Sequence, residues 1–415
     1  MKTILTLLFI LFSHWSFGQI TLEDCQQKAR ENFPLIKQYE LIEQTREFTL
    51  SNANKNFLPQ LSVTAIGGHI DGTPEFNIPG IPASDPSNFN LISMIQINQV
   101  IWDGGITKAS KAATTAQSEI DQANVEVTLY ALRERVNNLY FGVLLINEQM
   151  AQLELFQSNL ERNKKRVEIA VTNGTAFKSD IDEIQVEIIN VTQKITELTF
   201  NQKAYMEVLS AMIGETVSVD TEFQRPVVAS DSINQEIRRP ELRLFDYQRN
   251  LLEAKSSLDK SMIYPKLGLI GFGTFIEPGL PFGPSEMDRI LVGGVSLSWE
   301  IGGLYKNSNN KKLTEVNLQK ITTQEETFLF NTGLQLTQKN GELDRFETLI
   351  QQDQEILALK TSIKKSYETK YENGVSTLSQ LLDRINEENV AKQNLILHEI
   401  QYLMTAYQYL NISGN

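Results

Sequence analysis

Thr172-Asn173-Gly174-Thr175-Ala176-Phe177-Lys178-Ser179-Asp180-Ile181 and, later in the chain, Glu372-Asn373-Gly374-Val375-Ser376-Thr377-Leu378-Ser379-Gln380-Leu381 are two versions of one stretch. Each sits between a very long helical pattern and a shorter one. Asn-Gly suits positive φ and so the end of a helix. The Ser, Thr and Asp residues that follow suit the N-cap of the next helix. Each stretch therefore reads as the tip of a helical hairpin.

Working outward, the duplication extends to the flanks. Leu58-Pro59-Gln60-Leu61-Ser62 is echoed by Tyr264-Pro265-Lys266-Leu267-Gly268, Gly104-Gly105-Ile106-Thr107-Lys108 by Gly302-Gly303-Leu304-Tyr305-Lys306, and Ala204-Tyr205 by Ala406-Tyr407. These landmarks keep their order and recur about 200 residues apart, the mark of an internal repeat. The chain divides into a segment 1–18, a first repeat 19–214, a linker 215–238 and a second repeat 239–415. Each repeat follows one plan: an entry helix (Thr21–Asn56, interrupted by Pro34, and Arg239–Met262), two strand-like runs, a very long helix, a tip and a return helix.

In the first long helix, Ile106, Ala109, Ala113, Ala116, Ile120, Ala123, Val127 and Tyr130 alternate spacings of three and four. Leu129, Leu132, Val136, Leu139, Val143, Ile146, Met150 and Leu153 repeat the pattern on a neighbouring face. Two such stripes imply coiled-coil packing against more than one neighbour. At about 1.5 Å per residue the long helices span roughly 100 Å, which the shorter return and entry helices match when laid end to end. Each half is thus a rod two helices wide. Gly333 and Gly341, inside the second long helix, suit local bending or close packing.

The remaining runs alternate with period two. Leu61-Ser62-Val63-Thr64-Ala65-Ile66, Ile95-Gln96-Ile97-Asn98 and Val295-Ser296-Leu297-Ser298-Trp299-Glu300 have one apolar and one polar face, and Leu267–Phe275 is glycine-rich, as a curved, close-packed strand would be. Pro- and Gly-rich connections at Asp71–Asn88 and Glu277–Asp288 make them two hairpins. A water-filled barrel in lipid needs this two-faced pattern; a small soluble sandwich capping a coiled coil is the other use of it. Four strands cannot close a membrane barrel. Two chains give eight strands and three give twelve, so a barrel demands oligomerisation.

Composition narrows the classes. The net charge of −13 argues against a nucleic-acid partner. Ile4–Phe12, behind Lys2 and ahead of Ser16-Phe17-Gly18, reads as a secretory signal peptide cleaved to leave Gln19. Cys25, the single cysteine, allows no internal disulfide and reads as a buried thiol or an intermolecular bridge. His14, His69 and His398 have no ligand-type neighbours at metal spacing, so no metal or other cofactor is expected. No nucleophile–base pair or phosphate loop stands out, and Asp180, Asp182 and Glu183 read as solvated charge; the chain is not expected to be an enzyme.

Taken together, the duplicated plan, Phe57-Leu58-Pro59-Gln60-Leu61 before the first strand, Trp102-Asp103-Gly104-Gly105 after the second, and the tips Asn173-Gly174 and Tyr371-Glu372-Asn373-Gly374 resemble the TolC-type outer-membrane efflux proteins. The resemblance covers essentially the whole mature length. It implies a mixed α and β membrane protein: a homotrimer whose duplicated long hairpins form an α-barrel through the periplasm, and whose four strands per chain complete a 12-stranded transmembrane β-barrel in the outer membrane. It implies a passive exit duct for efflux or type I secretion, served by a periplasmic adaptor and an inner-membrane pump of RND or ABC type. A periplasmic coiled-coil scaffold or adhesin without a pore is the alternative. By the same resemblance, gate positions fall at Gln380, Asp383, Asp180 and Tyr371. Gln380 departs from the family's acidic pattern, and Ser376 replaces an Arg common in the second tip. Adaptor-docking positions fall at Asn173, Gly174, Thr175, Ser179, Asn373, Gly374, Val375 and Ser376.

Overall fold

A computed structural model describes residues 19–69, 89–228, 236–277 and 288–415. The expected signal peptide, the whole of the first Pro/Gly-rich connection, most of the second and part of the linker lie outside these residues. The elements in order are α1 (Leu22–Asn32), a 3-10 turn (Pro34–Lys37), α2 (Gln38–Lys55), β1 (Gln60–His69), β2 (Phe89–Trp102), α3 (Ile106–Thr172), α4 (Lys178–Ile213), α5 (Pro240–Met262), β3 (Lys266–Glu277), β4 (Asp288–Ser298), α6 (Gly303–Glu372) and α7 (Leu378–Ser413). Among them no helix is long and apolar enough to cross a membrane.

Local chemistry sets the boundaries. Thr21 caps α1, its Oγ1 accepting the Asp24 N–H at 3.1 Å. The entry helix is broken rather than merely bent at Pro34, because Phe33 before it is extended (φ −69°, ψ 128°), the conformation a following proline favours. Asp103 caps α3 through Gly105 N–H (2.9 Å) and Thr107 N–H (2.6 Å). Gly104 is required there: it has φ 71°, and a Cβ would stand 2.8 Å from Tyr264 Cβ. The echo at Gly302-Gly303 is not conformational, since neither residue takes positive φ. β4 ends at Ser298, so Trp299 and Glu300 leave the strand.

Two compact units cross the repeat boundary. One comprises the chain through Ile36, Val125–Pro240 and Thr327–Asn415; the other comprises Lys37–Asn124 and Glu241–Glu326. In the first, Leu22, Cys25 and Ala29 of α1 pack with Val136, Tyr140, Phe141 and Val143 of α3 and with Met206, Leu209 and Ile213 of α4. Tyr140 Oη donates to the carbonyls of Ile20 (2.8 Å) and Gln224 (2.6 Å), fastening a short parallel bridge between Ile20 and Phe223. The Cys25 thiol lies in this core, its pKa pushed up to about 12 by burial and then by the nearby Asp24 charge. It is the buried thiol of the two readings.

In the second unit the small-residue stripe of α3 meets α5: Ala113, Ala116 and Ile120 pack on Leu244, Tyr247, Leu251 and Ala254. The strands form one antiparallel sheet in the order β1-β2-β3-β4. Register pairs put Leu61 opposite Ile97, Ile97 opposite Gly271 and Gly271 opposite Gly293, which assigns the faces, because partners share a face and neighbours alternate. One face carries Leu61, Val63, Ile95, Ile97, Leu269, Leu291, Val295 and Leu297. The other carries Ser62, Thr64, Gln96, Asn98, Ser296 and Ser298 at the end nearer the helices. Phe272 and Val292 interrupt that face level with Ser62 and Gln96, and further out it turns apolar where Ile66, Ile92 and Ile276 pair across three strands. The alternation expected from the sequence thus holds on the first face apart from Ser93, Gln99 and the outer-end Glu277 and Arg289, and only in part on the second. Both faces are exposed, Leu297 by 72% and Ile66 by 60%. A Cβ at Gly333 or Gly341 would meet nothing within 4 Å, so packing within the chain does not explain these glycines.

Candidate functional site

Both hairpin tips belong to the first unit, and their descending helices end alike. Thr175 N–H donates to Ala170 O (2.8 Å) and Gly174 N–H to Val171 O (3.0 Å); Val375 N–H donates to Lys370 O (2.8 Å) and Gly374 N–H to Tyr371 O (3.0 Å). With φ of 75° at Gly174 and 70° at Gly374, both are Schellman closures that need a residue tolerant of left-handed backbone.

The ascending helices start differently. In the second tip Thr377 Oγ1 accepts the Gln380 N–H (3.3 Å) while Gln380 Oε1 accepts the Thr377 N–H (3.2 Å), a complete capping box. In the first tip the N-cap is Phe177, not the expected Ser, Thr or Asp. Only half a box remains there, Asp180 Oδ2 accepting the Phe177 N–H at 2.9 Å. Phe177 itself is 77% exposed and Val375 75%.

The sequence-derived positions therefore fall into distinct settings. Asp180 and Gln380 hold the third position of their helices and spend one side-chain acceptor on the cap. Asn173, Gly174, Thr175 and Ser179, with Asn373, Gly374 and Val375, are exposed at the turns. Ser376 is half-buried, its Oγ facing Tyr367 O at 3.5 Å. Tyr371 packs on the apolar cluster that joins the tips, in which Ile184 meets Leu378, Leu381, Leu382 and Ile385. Burial and then the Asp180 carboxylate hold the Tyr371 phenol above its ordinary pKa, so this pair is brought together. Asp383 is exposed and lines a groove of about 460 Å³ between α6 and α7 with Lys360, Asn386 and Glu387.

Around that groove stands a charge network that sequence reasoning missed. Lys360 reaches Glu387 (2.7 Å), which also accepts from Arg384 (2.6 Å). Buried Glu388 accepts from Thr361 (2.9 Å) and Lys364 (3.0 Å) and pairs with Lys392 at 3.5 Å. Burial disfavours the Glu388 carboxylate, but those hydrogen bonds and lysine charges outweigh it and its pKa is lowered. The Arg384 guanidinium stacks 5.3 Å from the Tyr367 ring centre. Higher up the same hairpin His398 Nδ1 lies 2.5 Å from Asp353 Oδ2. Opposite charges on facing helices were the available signal, but their pairing depends on the α6–α7 register. Between the hairpins, Asn386 Nδ2 donates to Glu187 Oε2 at 3.1 Å. Among the described residues no group of His, Cys, Asp or Glu is placed to hold a metal ion.

Long helices paired through tip turns and a two-faced antiparallel sheet are the fold that this chain shares with solved outer-membrane channels. The chain is similar to the crystal structure of CusC, reported for transmembrane channel formation, at 15% identity over 95% of this chain and 92% of that one, with a TM-score of 0.67. It is similar to the Vibrio cholerae outer membrane protein VceC at 12% identity over 95% and 96%, TM-score 0.63. The open state of the Neisseria gonorrhoeae MtrE outer membrane channel matches at 14% identity over 95% and 89%, TM-score 0.64. No family model and no curated protein matches the sequence. At these identities the likeness is one of fold.

Proposed function

We propose that the chain is the outer-membrane exit duct of an export system, passing cargo passively after an energised partner has delivered it. The observation that carries this is the sheet. It exposes two unlike faces, and β1 and β4 each have a single strand neighbour among the described residues. Open strand edges are not tolerated in lipid. Closure by copies of the same chain removes them, and three copies give twelve strands with the mainly apolar face outward. The long hairpins then enclose a tunnel on the periplasmic side.

In this reading the tips are where a periplasmic adaptor docks, linked to an inner-membrane pump of RND or ABC type. Asp383, exposed beside the second tip, supplies the acidic ring at the narrow end, with Gln380, Asp180 and Tyr371 around it. Gln380 adds no charge, so the ring rests on Asp383. Purified protein added to a planar lipid bilayer should conduct ions. Multivalent cations should block that current from the tip side, and Asp383→Ala should weaken the block several-fold. A water-soluble monomer that never conducts would refute the duct, whereas conduction with unaltered block would move the constriction elsewhere.

A further inference from the structure

The outward face of the sheet is not uniformly bulky. The register places Gly271 directly opposite Gly293, and Gly273 beside them opposite Leu291. The three glycines floor a dent of about 380 Å³ walled by Ile95, Ile97, Leu291 and Phe275. The lining holds no polar side chain. Two of the glycines are not needed for backbone reasons: a Cβ would meet nothing within 4 Å at Gly293 and only ordinary contacts at Gly271. Larger residues would fit at these two positions, and their absence leaves a recess in a mainly apolar surface.

A charge stands at one end of it. Arg289 pairs with Phe275 on this same face, two residues beyond Leu291 and so roughly 7 Å further along the strand. It is exposed and has no hydrogen-bond or ion-pair partner among the described residues. The end where it sits is the one remote from the helices, facing away from the periplasm in the proposed orientation. Glu277 lies on the same face as a diagonal neighbour of Arg289, without pairing to it. A recess lined by apolar atoms, with an exposed guanidinium beside Phe275 at one end, is complementary to an amphiphile with an acyl chain and an anionic oxygen-rich head. Arginine matches a phosphate through two parallel N–H donors.

We propose that this dent is a lipid site, seating one acyl chain of a phosphorylated outer-leaflet lipid whose phosphate is held by Arg289. The site rests on the membrane-barrel reading above. Gly271 and Gly273 lie on β3, inside the sheet order, whereas Gly293, Leu291 and Arg289 lie on the edge strand β4, beside which the next chain pairs in the barrel reading. Glu277 sets the limit on affinity, because its carboxylate repels a phosphate held next to it.

The test uses the full chain in detergent, titrated with lipid A and followed by native mass spectrometry. Arg289→Gln and Gly293→Leu should each lower the lipid-bound fraction roughly tenfold, the loss expected for one charge-assisted contact or a filled recess. Glu277→Gln should raise it. A diacylglycerol, which lacks phosphate, should bind wild type and Arg289→Gln alike. Unchanged lipid A binding by Gly293→Leu, or equal binding of lipid A and diacylglycerol to wild type, overturns the site. Insertion of each variant into liposomes is measured in parallel. A chain that inserts but retains no lipid A overturns the site alone, and one that does not insert overturns the barrel reading with it.

Discussion

Two residues at equivalent places, Asp180 and Gln380, show how a side chain can serve the fold at a position marked for function. Each satisfies an N-terminal N–H of its helix, and the two caps differ in completeness. Thr377→Ala removes the half of the box that Phe177 never had. It should cost about 1 kcal/mol, read as a lower melting temperature and faster proteolytic nicking at the second tip, with no matching effect from substitution of Phe177. The tip glycines require a paired design, because a bulky residue at φ near 70° strains the turn as well as blocking contact. Gly374→Asn tolerates left-handed backbone and should keep export if the turn alone matters. Gly374→Trp should abolish export while oligomers still form, and normal export in Gly374→Trp cells would remove the docking role. The turns themselves were legible, since Asn-Gly has few other uses between helical patterns. The Phe177 N-cap was not, because Asp180 supplies the bond from three residues later and Phe177 carries no capping atom to be read.

At the scale of the element, the α6–α7 hairpin is held near its tip by Lys360, Lys364, Arg384, Glu387, Glu388 and Lys392, besides its apolar seam. The pKa of Glu388 is lowered in the fold, as is that of Glu387, whose hydrogen bond from Lys360 outweighs a small desolvation. Their stabilisation is therefore fully present above the ordinary carboxylate value of about 4.3 and is lost as pH falls through the lower folded values. Amide exchange in this part of α6 and α7 should accelerate below about pH 4. Glu388→Gln should remove much of that acid dependence and cost about 2 kcal/mol at neutral pH, since it strips charge from a buried acceptor with lysine partners. Unchanged exchange in acid would show that the apolar seam alone holds the hairpin. The helices, their lengths and the double stripe of α3 were readable from spacing, because burial repeats along one element. The network was not, because it needs the register of two facing helices whose paired residues lie 24 to 27 positions apart. The charged residues that compose it look, in sequence, like any solvated helix surface.

The whole molecule is decided by the sheet, where sequence and register together say more than either alone. Alternation marked two faces, but the apolar outer part of the second face emerged only when Ile66, Ile92 and Ile276 were aligned across strands. Val295 and Ser296 are neighbours on β4 at the same depth and point to opposite faces. In a membrane barrel they meet lipid and lumen respectively. Val295→Arg should then impair insertion, at a cost of about 2–4 kcal/mol if it lies near the bilayer midplane, and the protein should appear in misfolded aggregates rather than in the heat-modifiable membrane fraction. Ser296→Arg should insert normally and shift conductance toward anions, because a cation added to the lumen repels cations and attracts anions. A soluble sandwich makes a different prediction, in which whichever face is buried in the sandwich rejects arginine and neither variant alters ion flow. If Val295→Arg inserts as well as Ser296→Arg, the outward face has been misassigned, and both the barrel orientation and the lipid site on that face fall together.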